Sequence, residues 1–248
     1  MPDAQNTGDP NEVAVVVPAA GEGRRLGGPR KQFRTLGERP LLVQVLRVFE
    51  RHPAVGHLVV AVPAAYVQEV SDRLQEDGLT KLGAVVSGGE SRQASVQNAL
   101  RAVPAPVEIV LVHDAVRPFV QAPRVTTVIQ QARVHGAAAP ALPVADTLRE
   151  GEETVFGATV PRKGLYRMQT PQGFRRAWLE EAHRAAAQAG DAPATDDVWL
   201  VQRTGRSVHR VEGDRRNFKI TTPGDWQMAQ QLWTAWTNDP TASRRSTS

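Results

Sequence analysis

Short apolar runs rich in Val alternate along this chain with segments whose apolar residues recur at helical spacing. The runs are EVAVVVP (12–18), HLVVAVP (57–63), LGAVVS (82–87) and VEIVLVHD (107–114). Their apolarity is continuous rather than alternating, which predicts strands buried on both faces, as in a parallel sheet. Pro40 opens the helical pattern LLVQVLRVFERH, Gly78 closes AAYVQEVSDRLQED, and a third helix runs from Ser91 through SVQNALRAV. Proline suits a first turn and glycine the position just past a last one. The alternation predicts an α/β fold with a doubly wound, mostly parallel sheet. Ligands of such sheets sit beyond the carboxyl ends of the strands, so residues that follow strands carry the interest.

From about residue 137 the pattern changes. GAAAPALPVADTLRE reads as a further strand, and TLREGEETVFGATVPRKGLYRMQTPQ as two extended arms about a Gly-containing turn, a protruding β-arm at about 145–170. A helix (RRAWLEEAHRAAAQAG), a short helix from near Thr195, a strand near RSVHRVEG and a last helix follow. Thr222, Pro223 and Asp225 give that last helix a capping-box-like start. Residues 1–11 and 237–248 are polar and without periodicity, and are expected to be disordered tails around a single domain at 12–236.

Charge sharpens the picture. The chain of 248 residues has 30 Lys+Arg against 26 Asp+Glu, a net +4, and residues 22–39 hold six basic and two acidic residues, which leaves the rest balanced. One local anion site explains this better than a nucleic-acid or membrane-binding face. Cys is absent, which excludes a disulfide framework and a thiol nucleophile. No apolar stretch approaches the roughly 20 residues of a membrane helix, and the start is unlike a secretory signal. The expectation is a soluble cytoplasmic protein without nucleic-acid or membrane partners.

The charged segment follows the first strand as PAAGEGRRLGGPRKQF (18–33). Ala19, Ala20, Gly21 and Gly23 allow close backbone approach to phosphate oxygens, and Arg24, Arg25 and Lys31 can neutralise them. Leu26 breaks a GxGxxG fingerprint, and no Gly-Lys-Ser/Thr P-loop occurs. A phosphate site and a Gly-rich turn with solvated arginines are both open at this point. LVHDAVRPF (111–119) sets Asp114 and Arg117 past a strand, where Asp114 either takes part in holding Mg²⁺ or forms a turn paired to Arg117. SGGESRQASVQNAL (87–100) places Gly88 and Gly89 before Ser91 and Ser95, with Ser91 also a ready N-cap. The six histidines show no metal-ligand spacing, and there is no GxSxG elbow. Trp226, Trp233 and Trp236 recur at helical spacing and read as core or interface.

Taken in order, PAAGEGRR, KQF, GGESRQASV, VHDAVRP, ADT, VPRKGLYRMQTPQ, ATDDV and NFKITTPGD resemble the 2-C-methyl-D-erythritol 4-phosphate cytidylyltransferase family over roughly residues 13–236. The resemblance implies transfer of a cytidylyl group from CTP to a polyol phosphate with release of pyrophosphate, assisted by Mg²⁺ or another hard divalent cation. It assigns Ala19, Ala20, Gly21, Gly23 and Arg24 to the CTP phosphates, and Gly89 and Ser95 to the cytidine pocket. Arg25 and Lys31 become the catalytic pair. Asp114, Arg117, Thr147, Arg162, Thr170 and Lys219 become substrate-binding residues, with Asp114 also a metal candidate. It further implies a homodimer in which the β-arm, with Thr147 and Arg162, reaches the neighbouring subunit's site. Arg30 stands between Pro29 and Lys31, where the family commonly has Pro next to Lys. The rival readings are a ribitol 5-phosphate cytidylyltransferase and a non-catalytic nucleotide-binding protein.

Overall fold

The computed structural model describes residues 9–21, 31–190 and 194–238. A 3₁₀ turn at Pro10–Glu12, capped by Asp9, leads into strand β1 (Val13–Pro18). A hairpin of β2 (Thr35–Leu36) and β3 (Arg39–Pro40) precedes helix α1 (Leu41–Glu50). Then come β4 (His57–Val62), α2 (Val67–Glu76), β5 (Leu82–Ser87), α3 (Arg92–Leu100), β6 (Ile109–Val112) and α4 (Ala122–His135). The second half comprises β7 (Ala137–Pro143), β8 (Leu148–Glu152), β9 (Val155–Val160), β10 (Tyr166–Met168), β11 (Gln172–Arg175), α5 (Arg176–Ala189), α6 (Asp197–Arg203), β12 (His209–Glu212) and α7 (Pro223–Asn238).

The expected parallel strands form the sheet's heart: β1 lies between β6 and β4, and β5 follows at the edge, all parallel. Val13 to Val17 of β1 have no exposed surface, so both faces are covered, as the unbroken apolar run requires. One apolar layer packs α1, α2 and α4 on one side of the sheet, and another packs α3, α5 and α6. β11 runs antiparallel between β6 and β7, while β12 adds parallel to the far edge of β7. Gly173 makes this possible, since a Cβ there would lie 2.8 Å from Val128 and 3.0 Å from Leu111.

Gly78 closes α2 in the left-handed conformation (φ 77°), the usual role of a glycine after a helix. Thr222 and Asp225 cap α7 reciprocally: the Thr222 hydroxyl accepts the Asp225 N–H at 3.1 Å, and the Asp225 carboxylate accepts the Thr222 N–H at 2.8 Å. Trp233 and Trp236 pack against Phe119 at 6.0 and 5.5 Å between centroids, in a third apolar cluster with Leu36 and Ile220. The arm is the hairpin β8–β9, whose residues are exposed or half-buried. Its turn reverses at Glu153, which takes φ 47°, while Gly151 and Gly157 lie within the paired strands rather than in the turn.

Candidate active site

Four strand ends converge on a cleft of about 650 Å³. One wall is the chain after β1, Pro18 to Gly21; another is the β5–α3 junction, Gly88 to Arg92. The two approach closely because Gly88 lacks a side chain: a Cβ there would lie 2.3 Å from Ala20 Cβ. Ser91 caps α3 by accepting the Ala94 N–H at 3.0 Å. The Ser95 hydroxyl donates to Ser91 O at 2.9 Å and accepts the Gly89 N–H at 3.1 Å, which shapes the Gly-Gly turn from beneath. Ala19, Ala20, Gly21, Gly89 and Ser95 therefore line one cleft. Gly23, Arg24, Arg25 and the Lys31 side chain lie outside the described residues.

Gln32 was not foreseen as a site residue. It is buried, and its amide donates to Ala19 O at 2.6 Å and Gly21 O at 3.1 Å, tying the turn that bears Lys31 to the loop after β1. Gln32→Ala removes both donors from loop carbonyls. We expect activity at this cleft to fall roughly 10-fold with the melting midpoint little changed, because the loss is one of loop preorganisation. Unchanged kinetics would remove that bracing role.

The far end of the cleft is ionic. Asp114, buried just past β6, meets Arg92 Nε at 3.2 Å, Arg117 Nε at 3.3 Å and Lys219 Nζ at 3.1 Å. Burial alone would raise its pKa, but the charges of Arg92, Lys219 and Arg117 and the Lys219 hydrogen bond hold its carboxyl far below the usual range. Arg117 is also buried: Nη1 donates to Asn217 O at 2.8 Å and Nη2 to Met168 O at 3.4 Å. Its guanidinium thus braces the wall behind Asp114 rather than opening into the cleft, which Arg117 does not line. Thr170 is buried beside it, with its hydroxyl on the Asp114 N–H at 3.1 Å. Lys219, by contrast, lines the cleft.

Sequence reasoning also missed Arg92. Its Nη1 reaches Asp197 Oδ2 at 2.7 Å, so one guanidinium bridges the cleft carboxylate and a second, fully buried one. Asp197 is held in turn by His183 Nε2 at 2.9 Å. Burial would raise the Asp197 pKa as well, and the Arg92 charge and the His183 hydrogen bond lower it. Thr147 and Arg162 sit elsewhere, exposed at the base of the arm, where Arg162 donates to Ala145 O. Within one chain they do not join the cleft.

The small-residue loop after β1, the Gly-Gly turn before α3, Asp114 and Lys219 line one cleft. The family model for 2-C-methyl-D-erythritol 4-phosphate cytidylyltransferase matches residues 13–235.

This chain belongs to the 2-C-methyl-D-erythritol 4-phosphate cytidylyltransferase family.

A family member from Salinibacter ruber is 64% identical over 92% of this chain and 95% of its own length. The crystal structure of the Thermus thermophilus cytidylyltransferase is 39% identical and superposes with a TM-score of 0.74 over 90% of this chain and 99% of that one. The Francisella tularensis structure is 27% identical with a TM-score of 0.77, covering 88% and 98%. The cytidylyltransferase fold, a mostly parallel sheet flanked by helices, is thus that of the relatives, and the chain is a nucleotidyltransferase. No helix among the described residues is long and apolar enough to cross a membrane.

Proposed function

We propose that this cytidylyltransferase joins CTP to 2-C-methyl-D-erythritol 4-phosphate, giving 4-diphosphocytidyl-2-C-methyl-D-erythritol and pyrophosphate, in the cytoplasm and for isoprenoid precursor synthesis. The observation that carries the reading is the cleft itself, with its backbone cradle at Ala19–Gly21 and Gly88–Gly89 and Lys219 held opposite on Asp114. The family name supports the acceptor and the transferred cytidylyl group, for which CTP is the donor in this reading. A phosphate oxygen of the acceptor attacks the α-phosphorus of CTP in line; the bond to the β-phosphate oxygen breaks and pyrophosphate leaves. No protein nucleophile takes part, so the protein's work is positioning and charge stabilisation.

In this reading Ala19, Ala20, Gly21, Gly23 and Arg24 cradle the triphosphate, and Gly89 and Ser95 shape the cytidine pocket. Arg25 and Lys31 neutralise the charge growing on the α-phosphoryl oxygens. Lys219 meets the acceptor phosphate, while Arg117 and Thr170 support the acceptor end from behind Asp114.

Mg²⁺, or another hard divalent cation, does not fit Asp114 as a ligand. That carboxylate already faces three cations within 3.3 Å, and no group of three or more His, Asp or Glu suited to a metal occurs among the described residues. The cation belongs to the triphosphate as part of the substrate, where it offsets phosphate charge. Asp114 stays an acidic partner of cationic side chains.

Pyrophosphate release with CTP, Mg²⁺ and each polyol phosphate in turn tests the reaction. Release with methylerythritol phosphate is the expected result. Release with ribitol 5-phosphate alone would transfer the enzyme to that substrate, and none with either would remove the enzymatic reading in favour of a non-catalytic nucleotide-binding protein.

The arm supports a homodimer. Val155 and Phe156 on β9 are 71% and 82% exposed, and Leu165, Tyr166 and Met168 at its base are also exposed, an apolar surface suited to a second copy. Thr147 and Arg162 then complete the neighbour's site. Mixing Arg162→Ala chains with Lys219→Ala chains should restore activity, because one site in each mixed dimer is intact. Exchange of subunits without any recovery would disprove the shared site.

A further inference from the structure

Lys219 stands in the irregular connection between β12 and α7, residues 213–222. Its stem is flexible and partly exposed, so where the ammonium points depends on how firmly the backbone beneath it is held. Both ends of the stretch are tied down: Gly213 N donates to Ala141 O at 3.0 Å and Ile220 N to Val116 O at 3.0 Å. The middle is held by the residue that follows β10. Gln169 is buried, and its amide commits both hydrogens and one lone pair to this loop. Nε2 donates to Asp214 O at 2.8 Å and to Asn217 O at 3.1 Å, and Oε1 accepts the Asp214 N–H at 3.0 Å.

The surroundings are shaped to that amide. Gly213 makes room for it, since a Cβ there would lie 2.6 Å from Gln169 Oε1. Asn217 returns the grip, its own amide donating to Thr170 O at 2.8 Å. The Asn217 carbonyl also takes Arg117 Nη1 at 2.8 Å, and Arg117 and Lys219 both meet Asp114. Asn217 and Lys219, two residues apart, are therefore tied to one carboxylate by two routes, through Arg117 and through the ammonium. Gln169 fastens this ring of contacts to the strand that returns from the arm.

We infer that Gln169 is a positioning residue for Lys219: its amide fixes the 213–219 backbone from which the ammonium reaches Asp114 and the cleft. That the ammonium meets an acceptor phosphate rests on the proposed function. The clamp on the loop does not, so the two fail separately.

Gln169→Met keeps the side chain's length while removing its donors and acceptor. Pyrophosphate release by the full chain with CTP, Mg²⁺ and methylerythritol 4-phosphate should show acceptor kcat/KM roughly 10-fold lower, with KM for CTP within about 2-fold of the parent. A double-mutant cycle with Lys219→Ala separates positioning from general support of the fold. If Gln169 acts through the ammonium, adding Gln169→Met to Lys219→Ala should cost less than about 2-fold more. A further fall of roughly 10-fold in that background would show Gln169 shaping the cleft by another route and would overturn the proposal, as would an equal rise in KM for both substrates.

Amide hydrogen exchange reads the clamp without turnover. In Gln169→Met the Asp214 amide should exchange on the order of 10-fold faster while the amides of β1 keep their parent rates. Unchanged exchange at Asp214 would refute the clamp. Gly213→Ala pushes the same amide aside without removing a polar group, and it serves if Gln169→Met does not fold. It should give the same local rise in exchange and the same acceptor-specific loss; faster exchange at Asp214 with parent kinetics would refute the link to Lys219. No turnover by the parent with any polyol phosphate would instead remove the proposed function and leave the exchange result to decide the clamp.

Discussion

Lys219→Ala should lower kcat/KM for the acceptor phosphate on the order of 10²- to 10³-fold, the range seen when one charged or hydrogen-bonding stabiliser of a developing anion is removed. Lys219 lines the cleft with its side chain 40% exposed, and its ammonium rests on Asp114 Oδ2 at 3.1 Å. One face of the ammonium is thus held and another is open to an incoming phosphate. The chain around it is fixed: Ile220 N donates to Val116 O at 3.0 Å, and Asn217 O accepts from the Arg117 guanidinium. The side chain is partly solvated, so the melting midpoint should hardly move. Steady-state kinetics with each substrate varied separately make the check, and KM for CTP should stay within a few-fold. An equal rise in both KM values would mean that Lys219 serves the triphosphate instead. Lys219→Arg should recover only part of the loss, because a planar fork cannot keep the point contact to Asp114 and the same reach.

Much of this site could be read from sequence because it follows strands, and these strands announce themselves. β1, β4 and β6 are covered on both faces, so their apolar runs are unbroken, and what comes directly after them lines the cleft. What escaped notice depends on contacts between distant segments. β11 reads QGFR, with a glycine in a strand of four residues, and Gly173 is there because neighbouring side chains leave no room for a Cβ. Helix α4 opens with Pro123 at an early helical position but mixes Thr, Gln and Arg through its length, which blurs the apolar stripe.

The side-chain partnerships hide for the same reason. Arg92 and Asp197 are 105 residues apart, and His113 and Thr170 are 57 apart. In a single sequence Arg92 is one more polar residue at a helix start. Asp114 and Arg117 were visible as a pair, but their burial was not, and burial turns Arg117 from a cleft cation into a brace.

Arg92→Met should be the most destabilising of the changes considered, at about 3–5 kcal/mol, the usual cost of stripping one partner from a buried ion pair. The arginine serves two carboxylates, and Asp197, with no exposed surface, would keep only His183 as a side-chain partner among the described residues. Against a total stability of about 5–15 kcal/mol, that is a large fraction. The pH dependence has a definite sign. Both carboxyls have folded pKa values below the ordinary one, so their contribution is present above the unfolded value and is lost as pH falls through the folded value. Removing Arg92 raises both folded values, so the acid-unfolding midpoint should move to higher pH, measured by circular dichroism across an acid titration. An unshifted midpoint would mean that Arg92 does not stabilise the charged forms. Adding Asp197→Leu to Arg92→Met should return part of the stability, because a well-packed apolar pair can replace a buried ionic one. It should not return activity, since Asp114 would still lack the guanidinium that orients it toward Lys219. That separation of stability from turnover distinguishes an arginine that merely holds α3 to α6 from one that sets the floor of the cleft.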